Sequence, residues 1–364
     1  MLLSTENLHH YLVEKKLIQS DDLLSGNYRV EIAAGRNSVF KVTCSNQSFL
    51  FIKQSKQTDP AALQITRLEV AAHQLLHNDP QFTETAELLP HILLHDEERN
   101  VLISTLVGNS VSLHDYLVRN REFSTDLLVQ QARTLSAFHV PAERISNSSF
   151  AAILPWILRL DEYPTENFQG GSPQRTELML LIKNNELIAN TLTRLKHEWQ
   201  ASHFIHGDVK WINFLVADHR TDPKLVLIDW ELADIGDPLW DVAGLVQSYI
   251  AMWVFGLDND PFRTELMPGM DPFNIPAIQK PVQLLLTTYL ELQQIPEDRH
   301  SQTLTRIMEY VAVRIIQTSV EGVLGSDVIA ANNIRCLQLA FNIFNDPEHA
   351  LGELLGIVPT PAYP

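Results

Sequence analysis

The chain has 364 residues, 45% of them hydrophobic and 20% charged, enough to build two lobes around a large packed core. Its formal net charge of −17 argues against nucleic acid as a partner, which calls for a basic surface, and suits a cationic one. No apolar run reaches the length of a membrane span, the N-terminus has no signal-peptide pattern, and two cysteines, Cys44 and Cys336, supply neither a disulfide framework nor zinc spacing, so a cytoplasmic protein is expected.

The first elements in chain order are apolar runs that predict strands over 28–32 and 39–42. The turn between them, small and polar, contains Gly35 and Ser38 and suits phosphates held by backbone N–H groups, although it has a single glycine. A further strand over 48–53 ends in Lys53. The segment 63–76 follows with apolar residues at three- and four-residue steps, an amphipathic helix carrying Glu69. A strand-end lysine and a helix glutamate in this order match the pair that steadies nucleotide phosphates in kinases. Runs over 88–94 and 101–107 complete a small antiparallel sheet, and 125–139 starts with a capping pattern and continues as a helix.

The segment His206-Gly207-Asp208-Val209-Lys210-Trp211-Ile212-Asn213 carries the most chemistry. Asp208 is placed to orient an attacking hydroxyl, and Asn213, five residues on, offers an oxygen to magnesium. A buried strand over 224–228 then ends in Asp229, a second magnesium ligand at a strand end. Lys210 supplies a cation for charge on a transferred phosphoryl group, and His206 braces the loop by hydrogen bonding. Trp211 either lines an acceptor pocket or packs beneath the loop. Beyond it, a largely buried helix is expected over 242–253, two or three more between about 278 and 344, and a proline-rich tail that frays.

The H-G-D-x-x-x-x-N loop, the Ile228-Asp229-Trp230-Glu231 segment and Gly236-Asp237-Pro238-Leu239-Trp240-Asp241 resemble the aminoglycoside phosphotransferase and choline kinase superfamily. The resemblance is strong over 203–243 and weaker elsewhere. It implies an α+β, bilobal protein-kinase-like fold: a small antiparallel-sheet lobe with one helix over 1–107, and a larger, mainly helical lobe over 108–364 with an insertion at about 146–200. ATP and Mg2+ are the implied cosubstrate and cofactor. Asp208 is the implied base, Asn213 and Asp229 the magnesium ligands, Asp241 a buried brace for the loop, and backbone groups at Thr105 to Val107 the adenine contacts. Lys210 departs from the antibiotic kinases, which commonly carry His there, and resembles protein kinases instead.

The expected activity is ATP-dependent phosphorylation of a hydroxyl on a small, amine-bearing molecule. Acidic and aromatic residues in the variable segments, Trp156, Asp161, Glu162, Tyr163 and Glu166, then Asp258, Asp260, Glu265 and Asp271, are candidates for the ammonium, although a core tryptophan and solvated acidic loops have the same pattern. A peptide Ser or Thr acceptor is the alternative, consistent with Lys210 and the open Gly170-Gly171 stretch. A nucleotide-binding pseudokinase or partner-binding module is a third reading, drawn from the missing glycine-rich loop and opposed by Asp208, Asn213 and Asp229 standing together.

Overall fold

The computed structural model describes residues 2–24, 28–33, 37–44, 49–55, 60–86, 89–145, 149–163, 172–218, 220–259, 273–323 and 328–358. The chain divides into two compact units, Met1–Ser112 with Phe214–Ala233, and Leu113–Asn213 with Asp234–Pro364. The segment 214–233, which follows the H-G-D loop, thus returns to the first unit.

The first unit begins with helices α1 (Leu8–Glu14) and α2 (Ser20–Leu24), then strands β1 (Arg29–Ala33), β2 (Ser38–Thr43) and β3 (Phe49–Gln54). Helices α3 (Pro60–Asn78) and α4 (Thr83–Ala86) precede β4 (Ile92–Asp96), β5 (Val101–Thr105) and β6 (Ser110–Ser112). The second unit supplies α5 (Leu113–Asn120), α6 (Thr125–Phe138), α7 (Pro173–Asn184), α8 (Glu186–Glu198) and β7 (His203–Ile205). The chain then gives β8 (Phe214–Ala217) and β9 (Lys224–Leu227) to the first unit. It finishes in the second with β10 (Asp234–Gly236), α9 (Pro238–Asn259), α10 (Ile275–Leu292), α11 (Glu297–Gly322), α12 (Ala331–Asn345) and α13 (Pro347–Leu355). The α+β class is the expected one.

In the first unit a five-stranded antiparallel sheet runs in the order β1-β2-β3-β5-β4. Side chains alternate along β3, so Leu50, Ile52 and Gln54 are buried on one face and Lys53 lies on the other. Leu50 and Ile52 join Phe40, Val42, Val101 and Ile103 in a core that also takes Leu8, Tyr11 and Leu12 from α1. Each such side chain contributes about 1.5–3 kcal/mol by leaving water. Polar contacts fix the N-terminal segment as well: the Tyr11 hydroxyl donates to Asp96 Oδ2 at 3.0 Å, and the Leu3 amide donates to Gln54 Oε1 at 2.7 Å.

The strand expected over 88–94 forms later, at Ile92–Asp96. Pro90 has no N–H to give a ladder, and His91 pairs locally instead, its N–H donating to Thr105 Oγ1 and its carbonyl accepting from the Thr105 N–H. A second, three-stranded sheet, β6-β8-β9, leads up to Asp229.

The second unit is mainly helical. Helices α9 and α12 pack against α11, and α6 packs against α10. Residues Met308 to Ile316 of α11 are all buried, so this stretch meets neighbours on every side. The start expected at Thr125 is present, though Ser124 caps α6 without a side-chain hydrogen bond. Helix α13 was not foreseen in the sequence. No helix among the described residues is long and apolar enough to cross a membrane.

Candidate active site

In the second unit the loop after β7 is held from the start of α9. Asp237 ends the preceding segment and its Oδ1 accepts the Leu239 N–H at 3.0 Å, with Pro238 at the first helical position, a favourable helix entry. One turn on, Asp241 accepts the His206 N–H on Oδ2 at 2.7 Å and the Gly207 N–H on Oδ1 at 2.9 Å. Trp240 Nε1 donates to the Gly207 carbonyl at 3.0 Å, and the Trp211 N–H donates to Ser248 Oγ at 3.3 Å. Gly207 has φ of 81°, a left-handed conformation that suits a residue without Cβ.

Asp241 is 1% exposed and also contacts His139 Nε2 at 3.3 Å, while His139 Nδ1 lies 2.7 Å from the Tyr289 hydroxyl. Burial pushes the Asp241 carboxyl upward, but the hydrogen bonds and charge of His139 and the contacts of His206 outweigh it and hold it below its ordinary value. Asp241 therefore remains an anion that can anchor two loop amides.

Within the loop, Asn213 Nδ2 donates to the Asp208 carbonyl at 2.9 Å, and the Asp208 N–H donates to His206 Nδ1 at 3.2 Å. The Asp208 carboxylate meets two cations: Lys210 Nζ lies 2.7 Å from Oδ2, and Arg314 Nη2 lies 3.3 Å from Oδ1. Trp211 is 2% exposed and stacks edge-on to Tyr249 with ring centroids 4.5 Å apart, so it packs beneath the loop. Helix α9 comes so close that a Cβ at Gly244 would stand 2.4 Å from the Val209 carbonyl oxygen. Gly244→Ala is therefore expected to lose about 2 kcal/mol of stability to overpacking, rather than gain the roughly 1 kcal/mol of better helix propensity. Urea unfolding checks this, and a stabilised variant would contradict the close approach.

In the first unit Lys53 is the focus. Its Nζ lies 2.9 Å from Glu69 Oε2 on α3, 2.8 Å from Asp229 Oδ1 and 2.6 Å from Glu231 Oε2. Asp229 adopts φ 69° and ψ 56°, a left-handed conformation uncommon for a residue with a side chain, and its carboxylate and that of Glu231 share this ammonium. Burial works against the charged Lys53, but the three carboxylates prevail and raise it above its ordinary value. One cation does not neutralise three anions, so burial with too little counter-charge pushes the Glu69 carboxyl up from 4.5 to about 7.

A pH dependence follows from that shift. Between 4.5 and about 7 the folded, metal-free protein keeps a proton on Glu69 that the unfolded chain has released. This contribution to stability is complete below the lower value and is lost as pH rises through the upper one. Glu69→Gln is expected to flatten the fall in melting temperature across that window; a slope identical to the parent's would contradict the buried proton.

The other expected site residues are more dispersed. Ser38 opens β2. Thr105 ends β5 with its N–H donated to His91, and the Val107 carbonyl accepts the Ser110 hydroxyl at 2.8 Å. Gly35, Glu166, Asp260, Glu265 and Asp271 lie outside the described residues. Asp161 and Glu162 both pair with Lys196, at 2.9 and 2.7 Å. Two charged residues received no role from the sequence, Glu231 and Arg314. Each left a signal: Glu231 stands two residues after Asp229, and Arg314 interrupts the apolar run Val311-Ala312-Val313-Arg314-Ile315-Ile316.

The fold is similar to that of known kinases. A choline kinase of Streptococcus pneumoniae is similar in structure with a TM-score of 0.54 at 13% identity, covering 92% of this chain and 99% of that one. A choline/ethanolamine kinase family protein of Mesorhizobium loti gives 0.52 at 13% identity, covering 95% and 99%. An amicoumacin kinase gives 0.50 at 10% identity, covering 92% and 96%. These likenesses carry the fold, a protein-kinase-like one. No curated protein matches the sequence. The description "Phosphotransferase enzyme family" matches residues 30–267, well over half of the chain, so the chain belongs to that family and is a kinase with an alcohol group as acceptor.

Proposed function

We propose that this kinase moves the γ-phosphoryl group of ATP to a hydroxyl of a small, amine-bearing molecule. The observation that carries the reading is the loop itself: Asp208, Lys210 and Asn213 stand together, with Asn213 Nδ2 on the Asp208 carbonyl at 2.9 Å. Asp208 orients the acceptor hydroxyl and takes its proton as the new O–P bond forms and the bond to the β-phosphate oxygen breaks, releasing ADP. Lys210 follows the charge on the phosphoryl group. Lys53, positioned by Glu69, steadies the nucleotide phosphates, and His206 and Asp241 hold the loop. Residues 1–107 form the nucleotide-binding lobe of this reading and 108–364 the catalytic and acceptor-binding lobe; Gly35, Ser38 and the backbone of Thr105 to Val107 are the remaining candidate nucleotide contacts.

The residues also fit magnesium. Glu69, Asp229 and Glu231 each offer a carboxylate oxygen, all within 4.8 Å of one another, the hard donors this ion prefers. Asp229 and Asn213 are the ligands we assign, Glu231 stands ready beside Asp229, and the ion when bound screens phosphate charge. The ammonium of Lys53, now among these carboxylates, is a stand-in cation that supports the fit.

The amine on the acceptor rests on the acidic balance of the chain, −17 overall, which concentrates cations. A cytoplasmic setting supplies the ATP. The test is a panel of amino alcohols, aminoglycosides, neutral sugars and Ser/Thr peptides, ranked by kcat/KM with Mg·ATP. An amine-bearing acceptor should lead, with a KM that rises with salt. Transfer only to neutral sugars or to peptides would overturn the acceptor class.

A further inference from the structure

We infer that Arg314 is a positioning residue for Asp208, a fixed counter-charge that keeps the carboxylate aimed while Lys210 moves to the phosphoryl group. The inference rests on the catalytic role of Asp208 proposed above. It begins with an asymmetry between the two cations on one carboxylate. The Lys210 side chain is 37% exposed and that of Arg314 is 5% exposed. Lys210 is a solvated ammonium on a flexible stem, two residues from Asp208. Arg314 comes from the buried middle of α11, and its planar head is fixed on several sides.

Two contacts do the fixing, and a glycine leaves room for them. Nη2 donates to the Val209 carbonyl at 2.9 Å, so the guanidinium is tied to the loop backbone independently of the carboxylate. The guanidinium carbon lies 5.1 Å from the centroid of the Trp240 ring, a cation–π geometry. Gly244 leaves the third side open; a Cβ there would meet Nη2 at 3.1 Å and Nε at 3.3 Å. The same Trp240 donates to Gly207, so one side chain supports both the loop and the arginine that aims its aspartate.

This arrangement separates two tasks that a single cation would perform badly. A cation that follows the transferred group must leave Asp208, and without a second one the carboxylate would lose its partner and its direction as the acceptor hydroxyl arrives. Arg314, held by the loop backbone and the Trp240 ring, stays. Misdirection of a reacting group by a fraction of its length costs about 100-fold in rate, so this arginine should be visible in kcat and not in binding.

The experiment compares the parent, Arg314→Met, Arg314→Lys, Asp208→Asn and the Asp208→Asn/Arg314→Met double variant. Readouts are kcat, acceptor KM, the nucleotide dissociation constant and melting temperature. Arg314→Met is expected to lower kcat about 100-fold, with acceptor KM and nucleotide affinity within about threefold, and Arg314→Lys should recover part of that loss. In the Asp208→Asn background the methionine should cost nothing further, because the group it aims is gone. If Arg314→Met does not fold, Arg314→Lys alone decides: a reduced kcat at parental affinity supports the role, and a parental kcat overturns it. Equal losses from Arg314→Met with and without Asp208, or losses confined to KM, also overturn it. A fully active Asp208→Asn would instead sink the catalytic reading, so the two failures are distinguishable.

Discussion

Asp208→Asn is expected to lower the rate of phosphoryl transfer by at least about 1,000-fold while nucleotide affinity stays within about threefold of the parent. The amide has nearly the same shape, so the loop should survive; what disappears is the charge that orients the hydroxyl and accepts its proton. The contacts that build the loop use the Asp208 backbone, through its N–H on His206 and its carbonyl under Asn213, and remain available to the variant. Steady-state kinetics with an accepted substrate, alongside titration of nucleotide binding, checks both halves. Retained turnover would contradict the assignment.

The second large effect belongs to Lys53. Lys53→Met removes the cation shared by Glu69, Asp229 and Glu231, which lie within 2.9 Å of it. Breaking a buried ion pair by deleting one partner costs about 3–5 kcal/mol. The lower end is expected because the Asp229 side chain is 35% exposed and water screens part of its charge. In metal-free buffer the variant should therefore melt well below the parent. Magnesium should restore part of the loss, since the orphaned carboxylates then hold an ion in place of the ammonium. Catalytic efficiency towards ATP should fall with either buffer. A variant as stable as the parent without metal would contradict the charge cluster.

How much of this was legible beforehand depended on the range of each interaction. Asp208, Lys210 and Asn213 are within five residues of one another, so the motif was readable from local spacing, while the turn at Gly207 and the hydrogen bonds of Asp241 and Asn213 shape the loop. For Lys53 and Glu69, periodicity showed only a strand and an amphipathic helix; their pairing was legible through the kinase pattern that the downstream motif brings with it, and the structure puts Lys53 Nζ on Glu69 Oε2 at 2.9 Å. The Asp241 brace came only with the family resemblance, and the structure gives its physical form, two backbone amides on one carboxylate.

Other features depended on distant partners. Arg314 is 106 residues from Asp208 in sequence, and nothing local says which buried group an arginine in an apolar helix will meet. Glu231 was adjacent to a recognised ligand, yet its role depends on Lys53, 178 residues away. Helix α1 has Leu8, Tyr11 and Leu12 at helical spacing, a signal short enough to pass for loop until the sheet face it covers is seen. The strand at Ile92–Asp96 was displaced from the expected run because Leu89 and Pro90 are apolar but Pro90 brings no donor to a ladder.

The most direct measurement is mass spectrometry of the acceptor panel after incubation with Mg·ATP, with Asp208→Asn in parallel. A kinase working as described yields an acceptor carrying one added phosphoryl group, with an equal amount of ADP, from the parent protein and not from the variant. A phosphorylated acceptor formed equally by both proteins would contradict the role given to Asp208. The absence of both a phosphorylated acceptor and any Asp208-dependent consumption of ATP would contradict the account as a whole.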